Sequence, residues 1–323
     1  MQYRTAARIG DPWSAIGYGM WGMGAWSGSD DAESARALDR AVACGCTFFD
    51  TAWAYGEGHS ERLLGALLAR HRSRDLVAAT KVPPRDRVWP ARADTPVEQV
   101  YPYDHIIEFA EKSLANLGTS TMGLLQLHVW HDRWAGADGW QRAAADLKRR
   151  GLIRAFGISV TRWDPENVLA AIETGAVDAV QVVYNVFDQS AADVLFPACA
   201  KRGIGVIARV PFDEGSLTGT LTAGSRWPEG DFRNGYFTPG HLADTLARLA
   251  PLEALAADRG MALPELALRF VLAHPAVTTT IPGMRRVRHV EANLAAADAA
   301  PLDEATLQAL ATHRWPRRPG DKK

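Results

Sequence analysis

The sequence predicts an α/β fold, and within that class a (β/α)8 TIM barrel with its active site at the C-terminal face of the strands. Three observations carry this. Eight short, almost continuously apolar runs alternate with amphipathic stretches along a chain of 323 residues. Such runs suit parallel strands covered on both faces. Most of the amphipathic stretches stop at a glycine, the residue that tolerates the left-handed turn closing a helix. No linker or shift in composition interrupts the alternation, so 1–323 reads as a single barrel domain.

The strand runs are 16–20, 47–51, 76–82, 122–129, 153–159, 179–185, 205–211 and 277–283. After the first, 30–44 opens on Asp30 and Asp31, which suit a helix N-terminus, and runs into Gly45. After the second, 60–70 begins at Ser60, a candidate cap, and sets Leu63, Leu64, Leu67 and Leu68 along one stripe. The stretches 103–117, 140–150, 165–174 and 191–202 end at Gly118, Gly151, Gly175 and Gly203. Two long connections break the rhythm, 83–102 with its prolines and arginines and the glycine-rich 212–239. Connections of that length in a compact fold serve as lids or binding loops. A short basic tail with Arg317, Arg318, Lys322 and Lys323 ends the chain.

Composition narrows the function classes. The 36 basic and 37 acidic residues give a net charge of −1, which offers no electrostatic footprint for nucleic acid or an anionic membrane. No apolar run approaches the roughly 18 residues of a membrane span, and the N-terminus lacks a signal core, so a cytoplasmic protein is expected. Cys44, Cys46 and Cys199 form no metal-ligand pattern and read as buried thiols, in keeping with a reducing compartment.

Barrel strands are apolar throughout, so a polar residue at a strand's C-terminal end faces the rim where such barrels carry their chemistry. Asp50, Lys81, His128, Ser159, Gln181, Asn185 and Arg209 stand at those ends, and Tyr55 follows just after the second strand. Taken singly, each reads more readily as a surface residue, a turn former or cap, or a structural hydrogen-bonding group than as a catalyst. Four of them fit one reaction. A tyrosine titrates at about 10, too high for an efficient proton donor near neutrality. The Lys81 ammonium would lower that value, Asp50 would hold Lys81 charged, and His128 would orient a carbonyl oxygen or share the proton. No side chain here is a hydride source, so a cofactor must supply one.

Phe48-Phe49-Asp50-Thr51-Ala52-x-x-Tyr55-Gly56, Thr80-Lys81 and Leu125-Gln126-Leu127-His128 resemble the catalytic tetrad motifs of the aldo-keto reductase superfamily. Gly157-Ile158-Ser159, Val180-Gln181-x-x-Tyr184-Asn185 and Ile281-Pro282-Gly283 extend the match in the family's order. The resemblance implies reduction of an aldehyde or ketone, a small-molecule carbonyl substrate, with Tyr55 as general acid/base supported by Asp50, Lys81 and His128. It implies that Ser159 and Gln181 hold the nicotinamide carboxamide, with further cofactor contacts from Met20, Trp21, Gly215, Leu217, Gly283, His289 and Asn293. Three positions depart from the family pattern. Val160 stands where Asn is common, Ala292 replaces an acidic residue, and Arg209 stands where many members put an aromatic ring against the nicotinamide. A guanidinium plane also stacks on rings, so Arg209 keeps a cofactor role.

Gly17-Tyr18-Gly19-Met20-Trp21-Gly22 matches the dinucleotide fingerprint GxGxxG, but Gly24, Ser27, Gly28 and Ser29 still read as loop where that fingerprint needs a helix. A glycine-rich loop after the first strand is the better account. Arg285, Arg286 and Arg288 follow the eighth strand, where the family grips the adenosine phosphate, and Arg285 best matches its basic site. NADP(H) is therefore expected over NAD(H). Trp21, Trp53, Trp89 and Trp130 are the expected substrate pocket, with Trp134 and Trp227 near the rim and His131 and Asp132 as added polar contacts. His128-x-x-His131 lacks the further ligands of a metal site, and no metal is expected. Two readings from other classes stay open: a nicotinamide-binding regulatory or sensor subunit with little turnover, and a cofactor-free lyase with Lys81 as a Schiff-base amine.

Overall fold

The computed structural model describes residues 1–24 and 28–315. Ser27 and the basic tail lie outside the described residues. Eight parallel strands form the barrel: β1 (Tyr18–Gly19), β2 (Phe48–Asp50), β3 (Val77–Val82), β4 (Met122–Leu127), β5 (Ile153–Ser159), β6 (Ala179–Val183), β7 (Gly205–Arg209) and β8 (Val277–Thr280). They pair in sequence order. Parallel bridges from Ile16 to Thr280 and from Gly19 to Gly283 join the last strand to the first.

The glycines at this seam account for the fingerprint-like run. A Cβ on Gly19 would lie 2.5 Å from the Ile281 carbonyl oxygen, and one on Gly17 would lie 2.8 Å from the Phe48 ring. Gly22 passes close to the Arg285 side chain. The spacing therefore serves close approach of strands and loops, and the helix Asp31–Ala43 starts only later, capped by the Asp30 side chain accepting from Glu33 N–H.

Period-2 alternation sorts each strand into an inward and an outward face. Phe48, Val77, Ala79, Leu124, Ala155, Ala179 and Ile207 form an apolar cluster of their own with Trp13. Further along the same faces the sequence turns polar, at Asp50, Lys81, Gln126, Ser159, Gln181 and Arg209. The opposite register, with Phe49, Ala78, Leu125 and Phe156, packs against the helices in the main core. An N-terminal hairpin, Tyr3–Arg4 against Trp13–Ser14, underlies the barrel, and Trp13 packs on Phe48 with ring centroids 4.4 Å apart.

The helix Tyr103–Leu117 stops at Gly118 in the left-handed conformation, and Leu195–Arg202 likewise at Gly203. Three expectations need correction. Ser60 does not cap the helix His59–Arg70, because its buried hydroxyl accepts from Thr51 and donates to the Met20 carbonyl. The stretch expected over 165–174 is helical only at Leu169–Glu173, since 161–168 forms turns held by Asn167. The stretch expected over 191–202 begins with a separate turn, Ser190–Ala192. The two long connections are not bare loops: Val97–Val100, Asp213–Thr218 and Arg233–Tyr236 each form short helical turns. Beyond them lie the helices Pro239–Asp258, Leu263–Ala273, Val287–Ala295 and Glu304–Ala311. No helix of the described residues is long and apolar enough to cross a membrane.

The cysteines are free thiols, with Cys46 and Cys199 buried and Cys44 half-buried. Burial pushes the thiols of Cys46 and Cys199 up to about 12.

Candidate active site

Of the polar residues ending the inward faces, Asp50, Gln181 and Arg209 line one cleft of about 1630 Å³ at the C-terminal rim, together with Tyr55 and His128. Asp50 and, behind it, Lys81 are both essentially excluded from solvent. The Lys81 ammonium donates to Asp50 Oδ1 at 2.6 Å and to the Thr51 carbonyl at 2.7 Å, and reaches the Tyr55 phenol oxygen at 3.4 Å. The other carboxylate oxygen of Asp50 accepts from Gln181 at 2.8 Å and Gln126 at 3.2 Å, and Gln181 also donates to the Gln126 side-chain oxygen at 3.3 Å. A buried ion pair needs this saturation, because every unpaired lone pair or proton adds desolvation cost. Gln126 thus helps to satisfy the buried Asp50 carboxylate, a part that residue-type reasoning did not assign to it; its inward register on β4, two residues before His128, is the signal.

Tyr55 is set by a tight loop after β2. Gly24 lies so close to it that a Cβ there would meet the Tyr55 backbone at 2.6 Å. The His128 ring stands edge-on to Tyr55, centroids 5.7 Å apart, and the Trp89 ring stands edge-on to His128 at the same separation. His128 Nδ1 is buried and has no hydrogen-bond partner.

The electrostatics differ in one respect from the sequence expectation. Burial pushes the Tyr55 phenol above its ordinary value and Asp50 adds to this, while Lys81 and Arg209 pull it down. Lys81 thus acts in the expected direction, but burial outweighs it and the net shift is upward. Burial alone would lower the Lys81 ammonium; the charges of Asp50 and Tyr55 and the hydrogen bonds to them reverse that, so Lys81 is held protonated. Burial, with Lys81 and Arg209 nearby, keeps the His128 imidazole well below its ordinary range and therefore neutral at pH 7.

Among the other residues singled out by sequence, Met20, Trp21, Gln181, Arg209, Gly215, Gly283, Arg285, Arg286 and His289 line the cleft. Ser159, Leu217 and Asn293 are buried and do not line it. Arg288 does not line it either and meets His289 instead, with Nε donating to Nε2 at 3.3 Å. Two of the four expected pocket tryptophans are there, Trp21 and Trp89, both with substantially exposed rings. The other two are corrections. Trp130 is wholly buried and packs on Trp134 and Trp140. Trp53 packs edge-on against Phe109, centroids 4.8 Å apart, on the helix side. Asp132 is also structural: its carboxylate accepts from Ala170 and Ala171 N–H at the start of Leu169–Glu173, and from Trp130 Nε1. His131 holds a turn by accepting from Arg133 N–H.

The cleft also takes in residues that sequence reasoning missed, chiefly Asp30, Glu33, Arg36, Trp163, Arg226, Phe232 and Arg233. The last three come from the glycine-rich 212–239 connection, whose length was the available signal. Part of that connection is tied down by Arg162, which pairs with Glu214, lies 3.5 Å from Asp213 and donates to Tyr236 at 3.0 Å. Two departures from the family pattern touch each other here, because Arg209 Nη2 donates to the Val160 carbonyl at 2.9 Å.

Comparison with known proteins bears on this arrangement. The model of the Aldo/keto reductase family matches residues 15–314. Aldo-keto reductase YhdN of Bacillus subtilis (strain 168) is 28% identical over 304 residues, covering 90% of this chain and 87% of the relative. The uncharacterized oxidoreductase YqkF of the same strain is 30% identical over 302 residues, covering 90% and 91%. The solved structure of aldo-keto reductase AKR11C1 from Bacillus halodurans, in its holo form, superposes with a TM-score of 0.77 at 25% identity, covering all of both chains.

Proposed function

The chain belongs to the aldo/keto reductase family, and from that premise we propose that it is an NADP(H)-dependent carbonyl reductase converting an aldehyde or ketone to an alcohol. The observation that carries the reading is the connected set Asp50–Lys81–Tyr55, with neutral His128 beside the phenol at the floor of the cleft. Two features suit a dinucleotide cofactor. The cleft exceeds the roughly 300–1,000 Å³ of pockets for drug-sized ligands, so it has room for more than a small carbonyl compound. Two buried side-chain nitrogens on its walls, His128 Nδ1 and Arg209 Nε, have no protein partner.

When bound, the nicotinamide supplies the hydride. Tyr55 donates its phenolic proton to the carbonyl oxygen, and Lys81 steadies the phenolate that remains. Asp50 keeps Lys81 charged and in place. His128, being neutral, offers an N–H that orients the carbonyl oxygen without competing as an acid. The preference for the phosphorylated cofactor rests on Arg285 and Arg286 at the cleft edge, whose guanidinium forks suit a phosphate group. Arg285 is drawn below its ordinary value by burial and by Arg233 and Arg286, a crowding of like charge that a bound phosphate would relieve.

Oxidation of NADPH, and then of NADH, followed at the reduced-nicotinamide absorbance band with 4-nitrobenzaldehyde tests this reading. Aldehyde-dependent turnover, faster or tighter with NADPH, is the expected result. Tight binding without turnover on a broad aldehyde panel would favour a sensor or regulatory subunit. Tyr55→Phe should reduce carbonyl turnover by about 10²-fold or more while cofactor affinity stays near normal. Retained turnover in that variant would remove Tyr55 from the proton-donor role.

A further inference from the structure

Arg209 ends β7 on its inward face, half-buried in the wall of the cleft. It lines the same cleft as Asp50, Tyr55 and His128, on the strand paired with the one that carries Gln181; of the charges around it Arg162 weighs most, followed by Glu214, Tyr55 and Asp50. Its guanidinium donates to the Val160 carbonyl, while its buried Nε has no partner. Among the described residues no carboxylate lies within ion-pair distance of it, and Glu214 is paired with Arg162. Lys81 differs in this respect, because Asp50 at 2.6 Å cancels its charge. Arg209 is thus a cation without an ion-pair partner, standing beside the reacting groups.

The next step rests on the carbonyl-reductase reading above. The carbon that accepts the hydride is one bond from the oxygen that Tyr55 protonates. A productive donor carbon must come within about 3–3.5 Å of it. The nicotinamide ring therefore lies in the same part of the cleft that the Arg209 charge reaches. The oxidised ring carries a formal positive charge and the reduced ring does not. We propose that Arg209 is the residue by which this site tells the two redox states of its cofactor apart, repelling the oxidised form and leaving the reduced form tightly held. Like charges in a half-buried site of effective dielectric about 20 repel enough to change an equilibrium on the order of tenfold. The discrimination favours release of the oxidised cofactor after each turnover, a step that limits many enzymes of this kind of cycle. The Val160 carbonyl, accepting from Nη2 at 2.9 Å, holds the guanidinium against the wall of the cleft.

The experiment is separate titration of the intact protein with NADPH and with NADP+, read by tryptophan fluorescence, for the wild type, Arg209→Gln and Arg209→Lys. The wild type should bind NADPH about tenfold more tightly than NADP+. Arg209→Gln should shrink that ratio about tenfold, mainly by tightening NADP+, and Arg209→Lys should keep most of it because the charge remains. Losses common to both forms cancel in the ratio, so reduced stacking does not imitate the effect. A ratio in Arg209→Gln equal to that of the wild type would overturn the proposal. So would a wild type that holds NADP+ as tightly as NADPH, a result that needs no variant. If the wild type binds neither form, the carbonyl-reductase reading itself fails and this inference falls with it; binding of both forms with a ratio indifferent to residue 209 refutes the inference alone.

Discussion

The Lys81–Asp50 pair shows what a buried charge demands at the scale of single residues. Both groups are shut away from water, and the carboxylate accepts from Lys81, Gln126 and Gln181. Asp50→Asn would leave the Lys81 ammonium buried without its counter-charge, a change that costs about 3–5 kcal/mol when a buried pair is broken from one side. Urea denaturation should show that loss, and the double variant Asp50→Asn with Lys81→Met should recover part of it; a single variant as stable as the wild type would mean that the pair is solvated. His128 yields a pH prediction. Its folded-state value is depressed, so between that value and the ordinary one of about 6.5 the unfolded chain binds a proton that the folded chain does not. Stability therefore rises with pH through this window and is lost as pH falls below about 6.5. Because the imidazole is already neutral there, the rate of carbonyl reduction should show no step centred near pH 6.5; such a step, abolished in His128→Gln, would show that the imidazole charges in the working range. Asp50, Lys81 and His128 could be singled out in sequence because each stands at the C-terminal end of an apolar run, the end that opens on the rim; Thr80, polar and yet turned onto Glu61, shows that polarity within a strand is not enough. Trp53 and Trp130 could not be placed, since an aromatic side chain serves a core as well as a pocket and loop geometry alone decides which.

At the scale of elements, the strands follow from both-face burial, and β3, β4, β5, β6 and β7 begin within a residue of where their apolar runs do. The tails of several runs, such as Tyr184 and Asn185 after β6, leave the sheet because the chain turns over the rim. The helices Pro239–Asp258 and Leu263–Ala273 were not read from sequence. The first is alanine-rich with an internal Pro251, which blurs the contrast between faces on which a period of 3.6 depends. The N-terminal hairpin escaped notice because two-residue strands carry no period. The seam between β8 and β1 is tightly constrained. Gly17 N–H donates to the Thr280 carbonyl at 2.8 Å, and Gly19 N–H to the Pro282 carbonyl at 3.0 Å. Gly19→Ala would press a methyl group onto the Ile281 carbonyl, so the seam must open or shift. Overpacking of this kind costs typically about 1–3 kcal/mol. Thermal or urea unfolding should show it, together with faster hydrogen exchange at Gly19; unchanged stability would mean that the seam yields at no cost.

For the whole molecule, the question is whether a barrel of this size unfolds as one unit. The N-terminal segment is tied to the last third of the barrel. The Met1 amino group pairs with Asp298, and Arg4 donates to the carbonyls of Val277 at 2.9 Å and Leu272 at 2.7 Å, on either side of the last barrel turn. Trp315 N–H, near the end of the described residues, donates to the Phe187 carbonyl at 2.7 Å. No strand can leave without opening the ring, and the hairpin that carries Trp13 closes its base against residues from most of the strands. We therefore expect a single domain whose unfolding in urea gives coincident transitions by tryptophan fluorescence and far-ultraviolet circular dichroism. The cofactor reading adds a second expectation for the same curves. A ligand that binds only the folded state raises its stability by about 2.7 kcal/mol at a hundredfold excess over its dissociation constant. Because the cleft draws its walls from both ends of the chain, from Met20 and Trp21 to Arg285 and His289, NADPH should move both probes together. On the proposed preference, NADH at the same concentration should move them less, because it lacks the phosphate assigned to Arg285 and Arg286. A split between the probes would mean that half of the barrel unfolds independently, and a cofactor shift confined to one transition would identify which half holds the cofactor.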